Sequence, residues 1–559
     1  MAGVRTFNGR LRLVNGRLRL TKPGTEIPVD PNPGDGSVPG TSGTTSLALT
    51  EFYSTHQFAR PVVQRSALSM SDSSGPWADV VFMFDYTGAA PGFPQVRVVN
   101  VAGGAAVKGW TTLTNVTASG GKGQGVARIP QGGYYLHELR DGQQIDNAAT
   151  TSKATKSWGV GIVMLAIGQS NMLRTLNAGS SFDPVPGASE HEFDYWYAGK
   201  ANATLFGTAG YFQPNSNGAP SGGSQSSSTG GGTLSIMRIV ADRLSAKYGQ
   251  LVPVGFIPWA WDGKDIGELV PDGVYSTPLF NGSGTAAGSI GMKSPPNFFG
   301  GDFEIVTWHQ GESSNSRTRA NYLQALKDLY TRLLAQVNPF GRTAQHLAFL
   351  PAVLGPYADV SGAEGKRGAV FDLDTYARAN NWPKVRAGWN CLDLNPLDPS
   401  GDGLHFGDFG AGREYATWSA RRMTQAILWA LGCSTFTGLG PRIGSITRSG
   451  NVLTAMVAHD GGSALALRDS GSPITGWIVR NASGTAVTAT VAVASASTIT
   501  LTLPGGTTYP ITVQHGGGMQ PNVSNLIVDD IAYPQGCTGT DLIMNGRPLL
   551  PTPDPISVS

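Results

Sequence analysis

The chain has 559 residues, more than one ordinary domain, and this length predicts about three or four domains. The formal net charge is +2 and charged residues make up 14% of the chain, so we expect no nucleic-acid partner. The 76 glycines give a composition closer to an extracellular or virion β-rich protein than to a cytosolic enzyme.

Cysteine spacing and apolar runs narrow the class of protein further. Cys391, Cys433 and Cys537 are far apart, which argues against a disulfide scaffold and against zinc or redox motifs. No run approaches roughly 18 apolar residues, so we expect no membrane insertion. The N-terminus carries no apolar signal region, so we expect no secretory signal peptide.

A repeated motif near the N-terminus predicts a hairpin. Asn-Gly-Arg-Leu-Arg-Leu occurs twice within the first twenty residues, with the alternating period of a strand. A two-residue Asn-Gly turn would pair Leu13 with Leu18 and Leu11 with Leu20. Since a lone hairpin is marginal in water, we expect residues 1–45 to anchor the chain on a partner protein, another subunit or a later domain. The alternative is a solvated basic terminus.

Residues 46–155, after a linker rich in Pro and Gly at 21–45, predict a β-sandwich accessory domain. Strand-like runs at 80–84, 96–99 and 134–139 are separated by Gly and Asn/Asp clusters, and helical periodicity is absent. No catalytic set of residues is visible in this part of the chain.

Residues 156–435 alternate between strand-like and helical runs, which is the pattern of an α/β domain. The predicted strands are 160–167, 254–258, 303–308 and 346–350, and the predicted helices are 234–248, 321–337 and 415–431. The Gly/Ser-rich stretch at 214–232 predicts a loop near the carboxyl edge of the sheet.

The strand period returns over 436–559 and predicts a second β-sandwich. The predicted strands lie within 443–457, 474–479, 487–493 and 498–503. The Pro-rich tail at 549–559 is expected to be extended.

Gly168-Gln169-Ser170-Asn171-Met172 follows the apolar run at 160–167. A serine at a strand-to-helix turn stands out from the sheet edge, where neighbouring backbone N–H groups can bind an oxyanion. This is the geometry that a nucleophilic serine needs. The alternative is a serine that only caps a helix.

A serine nucleophile needs a base, and the base needs a group that orients it. His405 follows Asp402 by three residues on a Gly-rich loop, so the carboxylate can reach one ring nitrogen and leave the other for Ser170. The segment is also rich in aspartate, and a cation-binding loop or plain surface turns are the alternatives.

Two further motifs follow predicted strands. The first is His309-Gln310-Gly311-Glu312, after the strand at 303–308, and the second contains Asp262-Gly263, after the strand at 254–258. In the first, the Gln310 amide can donate to an oxyanion and Glu312 can fix the loop, while His309 is as readily a core histidine. In the second, Gly263 could present a backbone N–H where a side chain would clash, or belong to an ordinary turn.

Taken together, these four blocks resemble the SGNH (GDSL-like) hydrolases, in the branch of sialate O-acetylesterases and acetylxylan esterases. The resemblance covers about half of the chain and implies a flavodoxin-like three-layer αβα domain that hydrolyses acyl esters without a metal or other cofactor. It implies Ser170 as the nucleophile, His405 as the general base and Asp402 as the residue that orients His405.

The resemblance also implies an oxyanion hole. Its donors would be the backbone N–H groups of Ser170 and Gly263 and the side-chain amide of Gln310. Asn171 and Glu312 would support this site. The chain departs from the family in one place, because Asp262 stands where the first of two adjacent glycines is usual.

An O-acetylated polysaccharide is the substrate that this branch implies. Trp259, Trp261 and Tyr197 are candidate platforms for stacking sugars, although tryptophan is as often simply core. A phage tail protein would reconcile an extracellular substrate with the lack of a signal peptide, with the hairpin binding other virion tail proteins in a homo-oligomer. The alternatives are an exported bacterial carbohydrate esterase and a non-catalytic glycan-binding or receptor-binding tail protein.

Overall fold

The computed structural model describes most of the β-rich and α/β parts of the chain. The described residues are 10–14, 17–21, 46–49, 62–142, 152–153, 158–176, 195–197, 210–214, 220–221, 231–260, 265–269, 302–356, 363–394, 405, 415–531 and 546–559, with gaps at 74, 102–103, 314–316, 469–470 and 519–520. Within these ranges, no helix has the length and apolar character needed to cross a bilayer.

The described residues of the N-terminal part form eleven strands and one short 3-10 helix, Ala67–Ser71. The strands are β1 (Arg10–Val14), β2 (Arg17–Thr21), β3 (Ser46–Leu49), β4 (Val62–Gln64), β5 (Trp77–Thr87), β6 (Pro94–Asn100), β7 (Ala106–Thr112), β8 (Thr114–Ser119), β9 (Lys122–Pro130), β10 (Gly132–Asp141) and β11 (Ser152–Lys153). The hairpin prediction is confirmed, because β1 pairs with β2 through Leu13–Leu18 and Leu11–Leu20.

Two sheets of this region bury their facing side chains in one core. The first sheet has the order β3-β5-β9-β8, and the second contains β10, β6 and β7. Phe82 and Phe84 of β5 share this core with Val96 and Val98 of β6. Trp158, the first residue of the strand that follows β11, also belongs to it. Buried and exposed residues alternate along β5, as in a strand with one face in a core, although residues 80–84 are all apolar and Val81 and Met83 are exposed.

The central part alternates strands and helices. Its elements are β12 (Trp158–Gly168), α1 (Ser170–Leu176), β13 (Tyr195–Tyr197), β14 (Gly210–Pro214), β15 (Pro220–Ser221), α2 (Gly231–Tyr248), β16 (Val254–Ala260), α3 (Ile266–Leu269), β17 (Ile305–His309), α4 (Arg319–Val337), β18 (Ala348–Pro351), α5 (Ala363–Ala379) and α6 (Tyr415–Ala430). The predicted strands and helices of this part are confirmed, whereas β13, β14, α3 and α5 were not predicted. β15 lies within the loop predicted at 214–232, of which residues 215–219 and 222–230 are outside the described residues.

The parallel strands follow the order β16-β12-β17-β18, and residues 385–390 run parallel to β18 beyond it. Numbered along the chain, this is 2-1-3-4-5, the order of the flavodoxin-like doubly wound sheet. Helices cover both faces. One core contains α1, α2 and α6, and the other contains α4 and α5. The order reverses between β12 and β17, which is where such sheets bind ligands.

β12 belongs to two sheets. Its first residues pair with β4 and β10, and its residues from Ile162 onward pair with β16 and β17. All eleven residues are buried. The β-rich part and the α/β part therefore share one continuous strand, although the sequence predicts a domain boundary at residue 155.

The C-terminal part returns to strands. They are β19 (Arg442–Ser449), β20 (Val452–Ala458), β21 (Leu465–Leu467), β22 (Trp477–Arg480), β23 (Thr490–Ser495), β24 (Thr498–Thr502), β25 (Ile511–His515), β26 (Ile527–Asp529) and β27 (Ile556–Val558). The strands predicted for this region are confirmed. The expected extended tail contains a strand, because β27 pairs antiparallel with β25.

Buried polar contacts join this C-terminal part to the α/β part. Asp393 accepts hydrogen bonds from Arg422 of α6 at 2.5 and 2.7 Å and from Arg468 at 2.8 Å. The Asn390 amide donates to the carbonyl of Pro548 at 3.0 Å. Arg422 holds the pKa of Asp393 below its usual value against the effect of burial, so this carboxylate stays ionised.

A second buried carboxylate joins the N-terminal part to the α/β part. Arg65 contacts Glu304 with both Nε (2.9 Å) and Nη2 (2.7 Å), and Gln64 donates to the same carboxylate at 3.2 Å. Arg342 Nη1 lies 3.8 Å from Glu304 Oε2. Burial raises the pKa of Glu304, but the two arginines outweigh it and hold the pKa well below its usual range.

We predict that Glu304→Gln lowers the free energy of unfolding by about 3–5 kcal/mol, because it leaves the buried guanidinium of Arg65 without its carboxylate. Urea denaturation of wild type and variant measures this. Asp79→Asn is the matched control, since its pair with Arg128 is about half exposed and should contribute less than about 1 kcal/mol. Equal losses in the two variants would contradict the central role of Glu304.

Candidate active site

Ser170 lies at the carboxyl end of β12, at the point where the strand order reverses. Gly168 ends the strand, and Gln169 donates its backbone N–H to the carbonyl of His309 at 3.0 Å. Ser170 is the first residue of α1 and only 5% exposed. A Cβ at Gly168 would lie 2.1 Å from that His309 carbonyl oxygen, so glycine is required for β12 and β17 to approach here.

Glu312 binds two of the neighbouring polar residues. Asn171 donates its side-chain N–H to Glu312 Oε1 at 2.7 Å, and His309 Nε2 lies 3.2 Å from the same oxygen. All three side chains are fully buried. Burial raises the pKa of Glu312, but His309 and the Asn171 amide outweigh it and lower the pKa to about 2. The ionised carboxylate thus ties the end of β17 to the first turn of α1.

Gln310 is held from the outer helix layer. The Tyr322 hydroxyl donates to the backbone carbonyl of Gln310 and lies 3.2 Å from its Oε1, while Trp308 Nε1 donates to that hydroxyl at 3.2 Å. These contacts hold the backbone carbonyl of Gln310 and place its side-chain oxygen beside the Tyr322 hydroxyl. Gly311 follows with φ +148°, and a Cβ there would meet Leu354 Cδ1 at 2.4 Å, so the turn after Gln310 requires glycine.

A second set of side chains joins α1 to Ser419 of α6 and to Trp389. Thr175 Oγ1 donates to the carbonyl of Asn171 and lies 2.8 Å from Ser419 Oγ, to which Trp389 Nε1 donates at 3.2 Å. The Trp389 ring stands edge-on to His309. Sequence reasoning missed these residues, because a buried Thr or Ser in a helix gives no signal until its partner in space is known.

The loop that follows β16 is joined to the loop that follows β17. Arg317 binds Asp265 through Nε at 2.7 and 3.0 Å and through Nη2 at 2.5 Å. Asp265 also accepts the backbone N–H of Gly267 at 2.7 Å. This pair was not predicted. It constrains the described residues next to the block that carries Gly263.

Several predicted site residues fall outside the described residues. Asp402, Gly263 and Trp261 are among these, and for Trp259 and Tyr197 only the backbone is described, in β16 and β13. His405 is described as half-buried. The structure brings Ser170, Asn171, His309, Gln310 and Glu312 together, while the assembly of the Ser-His-Asp set and of Gly263 stays a prediction.

One candidate ligand of the alternative, a cation-binding loop, is already bonded to other residues. Asp393, in the aspartate-rich segment that precedes His405, is fully buried and bonded to two arginines. A carboxylate committed in this way cannot coordinate a metal ion without losing both ion pairs. Among the described residues, no group of three or more His, Cys, Asp or Glu side chains is placed to hold a metal.

Comparison with known proteins supports the fold. No protein-family model matches the chain, and no curated protein matches it. A carbohydrate acetylesterase from Xanthomonas citri superposes with a TM-score of 0.55 at 16% identity, over 91% of this chain and 99% of that one. A family two carbohydrate esterase from Cellvibrio japonicus matches with a TM-score of 0.28 at 11% identity, over 70% of this chain and 99% of that one.

A tail fibre protein of an E. coli phage matches with a TM-score of 0.26 at 12% identity, over 64% of this chain and 34% of that one. The likeness to the Xanthomonas citri structure extends over nearly the whole chain. It shows a shared fold, in which a mixed α/β region is combined with additional β-sheet regions.

We predict that Glu312→Gln lowers kcat for an acetyl ester by about 10-fold to 100-fold, because small displacements of positioned groups are costly. Hydrolysis of p-nitrophenyl acetate measures this, with Glu138→Gln as a control that removes a carboxylate from β10, away from the site. An unchanged kcat in a folded variant would show that Glu312 does not hold the site.

We also predict that the stability difference between wild type and Glu312→Gln depends on pH. The pKa of Glu312 in the folded protein, about 2, lies below its ordinary value of 4.5, so ionisation stabilises the fold fully above about pH 4.5. The stability difference between wild type and Glu312→Gln should shrink as pH falls from 4.5 towards 2. Thermal unfolding across this range tests it, and a difference that grows on acidification would contradict the assignment.

Proposed function

We propose that this protein is a serine esterase that removes O-acetyl groups from a cell-surface or extracellular polysaccharide. One observation carries the proposal. Ser170 begins a helix at the carboxyl end of β12, beside the Gln310 loop of β17, at the switch point of a doubly wound sheet. Open α/β sheets bind their ligands at this position.

In the proposed reaction, Ser170 Oγ attacks the acetyl carbonyl carbon while His405 takes the hydroxyl proton and Asp402 orients the imidazole. The tetrahedral oxyanion accepts hydrogen bonds from the backbone N–H groups of Ser170 and Gly263 and from the Gln310 amide. The sugar hydroxyl leaves with the proton from His405. Water, activated by His405, then hydrolyses the acetyl-enzyme and releases acetate.

The resemblance and two tryptophans at the end of β16 in the sequence support the proposed substrate class. Trp259 and Trp261, on and just after β16, are proposed platforms for the sugar rings. A carbohydrate acetylesterase shares the fold over most of the chain, which supports the same class of substrate here. The flanking β-sheet regions are proposed to be β-sandwich modules that carry carbohydrate or assembly contacts.

We also propose that the protein acts as a host-recognition component of a phage tail. β1 and β2 form a separate two-stranded sheet, and such a hairpin is marginal unless it packs against something. Other tail proteins or further copies of this chain would supply that surface. An exported bacterial esterase and a glycan-binding tail protein without turnover are the alternatives.

We predict that Ser170→Ala reduces p-nitrophenyl acetate hydrolysis at mildly alkaline pH to background, because the nucleophile is gone. His405→Ala should lose about as much, and the double variant little more, since such residues act as a unit. His459→Ala, in the C-terminal part, is the control. A folded wild type without activity would favour the non-catalytic glycan-binding protein.

We predict that deletion of residues 1–45 leaves the rate of p-nitrophenyl acetate hydrolysis per subunit unchanged but abolishes self-association. The hairpin contributes contacts between chains, whereas β12 and the helices hold the site. Light scattering of the full and shortened chains measures the oligomer. Oligomers of equal size would contradict a role of the hairpin in assembly between copies.

A further inference from the structure

A cavity of about 290 Å³ lies between α5 and the C-terminal part of the chain. α5 lines it with Phe371, Asp374 and Arg378, which share one face of the helix. The segment that runs parallel to β18 supplies Arg386, and β19 supplies Arg442. This volume is at the small end of the range of ligand pockets, which often lie where two parts of a chain meet. The cavity therefore suits a single sugar residue rather than a long stretch of polymer.

The inner surface of the cavity is apolar. Leu439, Leu550 and Pro551 line it together with Phe371 and Ala387, and all five residues are buried or half-buried. A sugar ring carries C–H groups on its faces, so it can bury them against such a surface.

Ion pairs of the protein hold the two walls of the cavity together. Arg319 of α4 binds Asp372 of α5 at 2.6 Å and Asp554 of the C-terminal tail at 2.7 Å. The tail residues Leu550 and Pro551 are thus fixed opposite α5 by contacts outside the cavity. The site is preformed, which lowers the cost of ordering it around a ligand.

Two arginines of the cavity are accessible to a ligand. Arg378 and Arg386 share one carboxylate, that of Asp374, at 2.5 and 3.2 Å. Arg386 uses only Nη1 for this pair, and its side chain is 24% exposed. The exposed side chain of Arg442 forms no ion pair or hydrogen bond with the residues that the structure describes. Both guanidinium groups can therefore donate to a bound anion.

Positive charge is in excess around the cavity. Its second carboxylate, Asp460, accepts from Thr437 Oγ1 at 2.6 Å and from Arg547 Nη1 at 3.0 Å. Arg547 also binds Asp529 at 2.6 Å, and these two charges cancel. Three lining arginines against two lining carboxylates then leave one positive charge, which an anionic ligand would neutralise.

We propose that this cavity is a second carbohydrate site, which binds one acidic sugar residue of the surface polysaccharide. The sugar carboxylate pairs with Arg386 and Arg442 through charge-assisted hydrogen bonds, and the sugar ring lies on the apolar inner surface. A neutral sugar could use the same apolar surface but would leave the excess charge without a partner.

The cavity is separate from the proposed active site. α5 follows β18 and precedes the parallel segment 385–390, so it begins at the carboxyl ends of the strands. Asp374 lies about 16 Å along α5 from that end, whereas Ser170 stands at it. A polymer held at both places has a higher effective concentration at Ser170. This gain rests on the proposed function, whereas binding in the cavity itself needs no turnover.

Arg442→Gln tests the site, because the exposed Arg442 side chain makes no contact that the fold would lose. Calorimetry at pH 7 and low ionic strength measures binding of a galacturonate trimer and of a neutral galactose trimer to the full chain. We expect wild type to bind the acidic trimer at least about 10-fold tighter, the equivalent of one hydrogen bond to a charged group, and Arg442→Gln to lose this preference. Equal binding of the two trimers to wild type would overturn the proposal.

Arg448→Gln is the matched control, since it removes the same charge from the same strand, β19, outside the cavity. It should bind both trimers as wild type does. If Arg442→Gln and Arg448→Gln weaken binding of the acidic trimer equally, the effect is one of overall charge and the assignment fails. It also fails if a triaspartate peptide binds as tightly as the galacturonate trimer, because the cavity would then suit an acidic protein partner.

Turnover of a polymer supplies the second readout. Arg442→Gln should raise the KM for acetylated polygalacturonate about 10-fold, with the loss in KM rather than in kcat, because the second point of attachment is weakened. A lower kcat for both this polymer and acetylated xylan would contradict a separate site. If wild type hydrolyses no acetyl ester, the esterase proposal fails, while the calorimetry still decides the role of the cavity.

Discussion

The arrangement of this protein depends on β12 being a member of two sheets. A strand with hydrogen-bonded neighbours on both sides and with all of its side chains buried cannot shift by one residue, because every side chain would change face. The strand therefore fixes the register of β10 and β4 at one end and of β16 and β17 at the other. Ser170, two residues beyond its end, inherits that fixed position.

Local sequence features predicted much of the fold. The Asn-Gly dipeptide predicted the register that β1 and β2 adopt, and the unbroken apolar run at 160–167 identified the buried strand. The helix α5 was missed because Gly365 and Gly368 interrupt its helical signal. The structure shows a steric reason for Gly368: a Cβ there would meet the Arg319 side chain at 2.7 Å. The double membership of β12 could not be predicted, since periodicity reports only the faces of a strand and not its neighbours.

The residues of the candidate site likewise fall into those that the sequence predicts and those that it does not. Ser170, Asn171, Gln310 and Glu312 could be found from the sequence, because each stands in a short motif at the end of an apolar run. Tyr322, Thr175, Ser419 and the Asp265–Arg317 pair could not, because their partners are distant in sequence and are chosen by packing. Ionised Glu312 links the two motifs, because it accepts from Asn171 and lies 3.2 Å from His309 Nε2.

The ion pairs of Asp393 have a consequence for how this protein can be recombined. A chain cut after residue 435 would lose Arg468 from Asp393 and would expose Leu392, which packs against Val523 and Leu526. A cut before residue 158 would strip β4 and β10 from β12. The α/β part thus cannot be separated from the rest of this chain without losing these contacts. Genetic exchange, whether natural or by protein engineering, would have to transfer residues 46 to 559 as one unit, since β3 (Ser46–Leu49) pairs with β5.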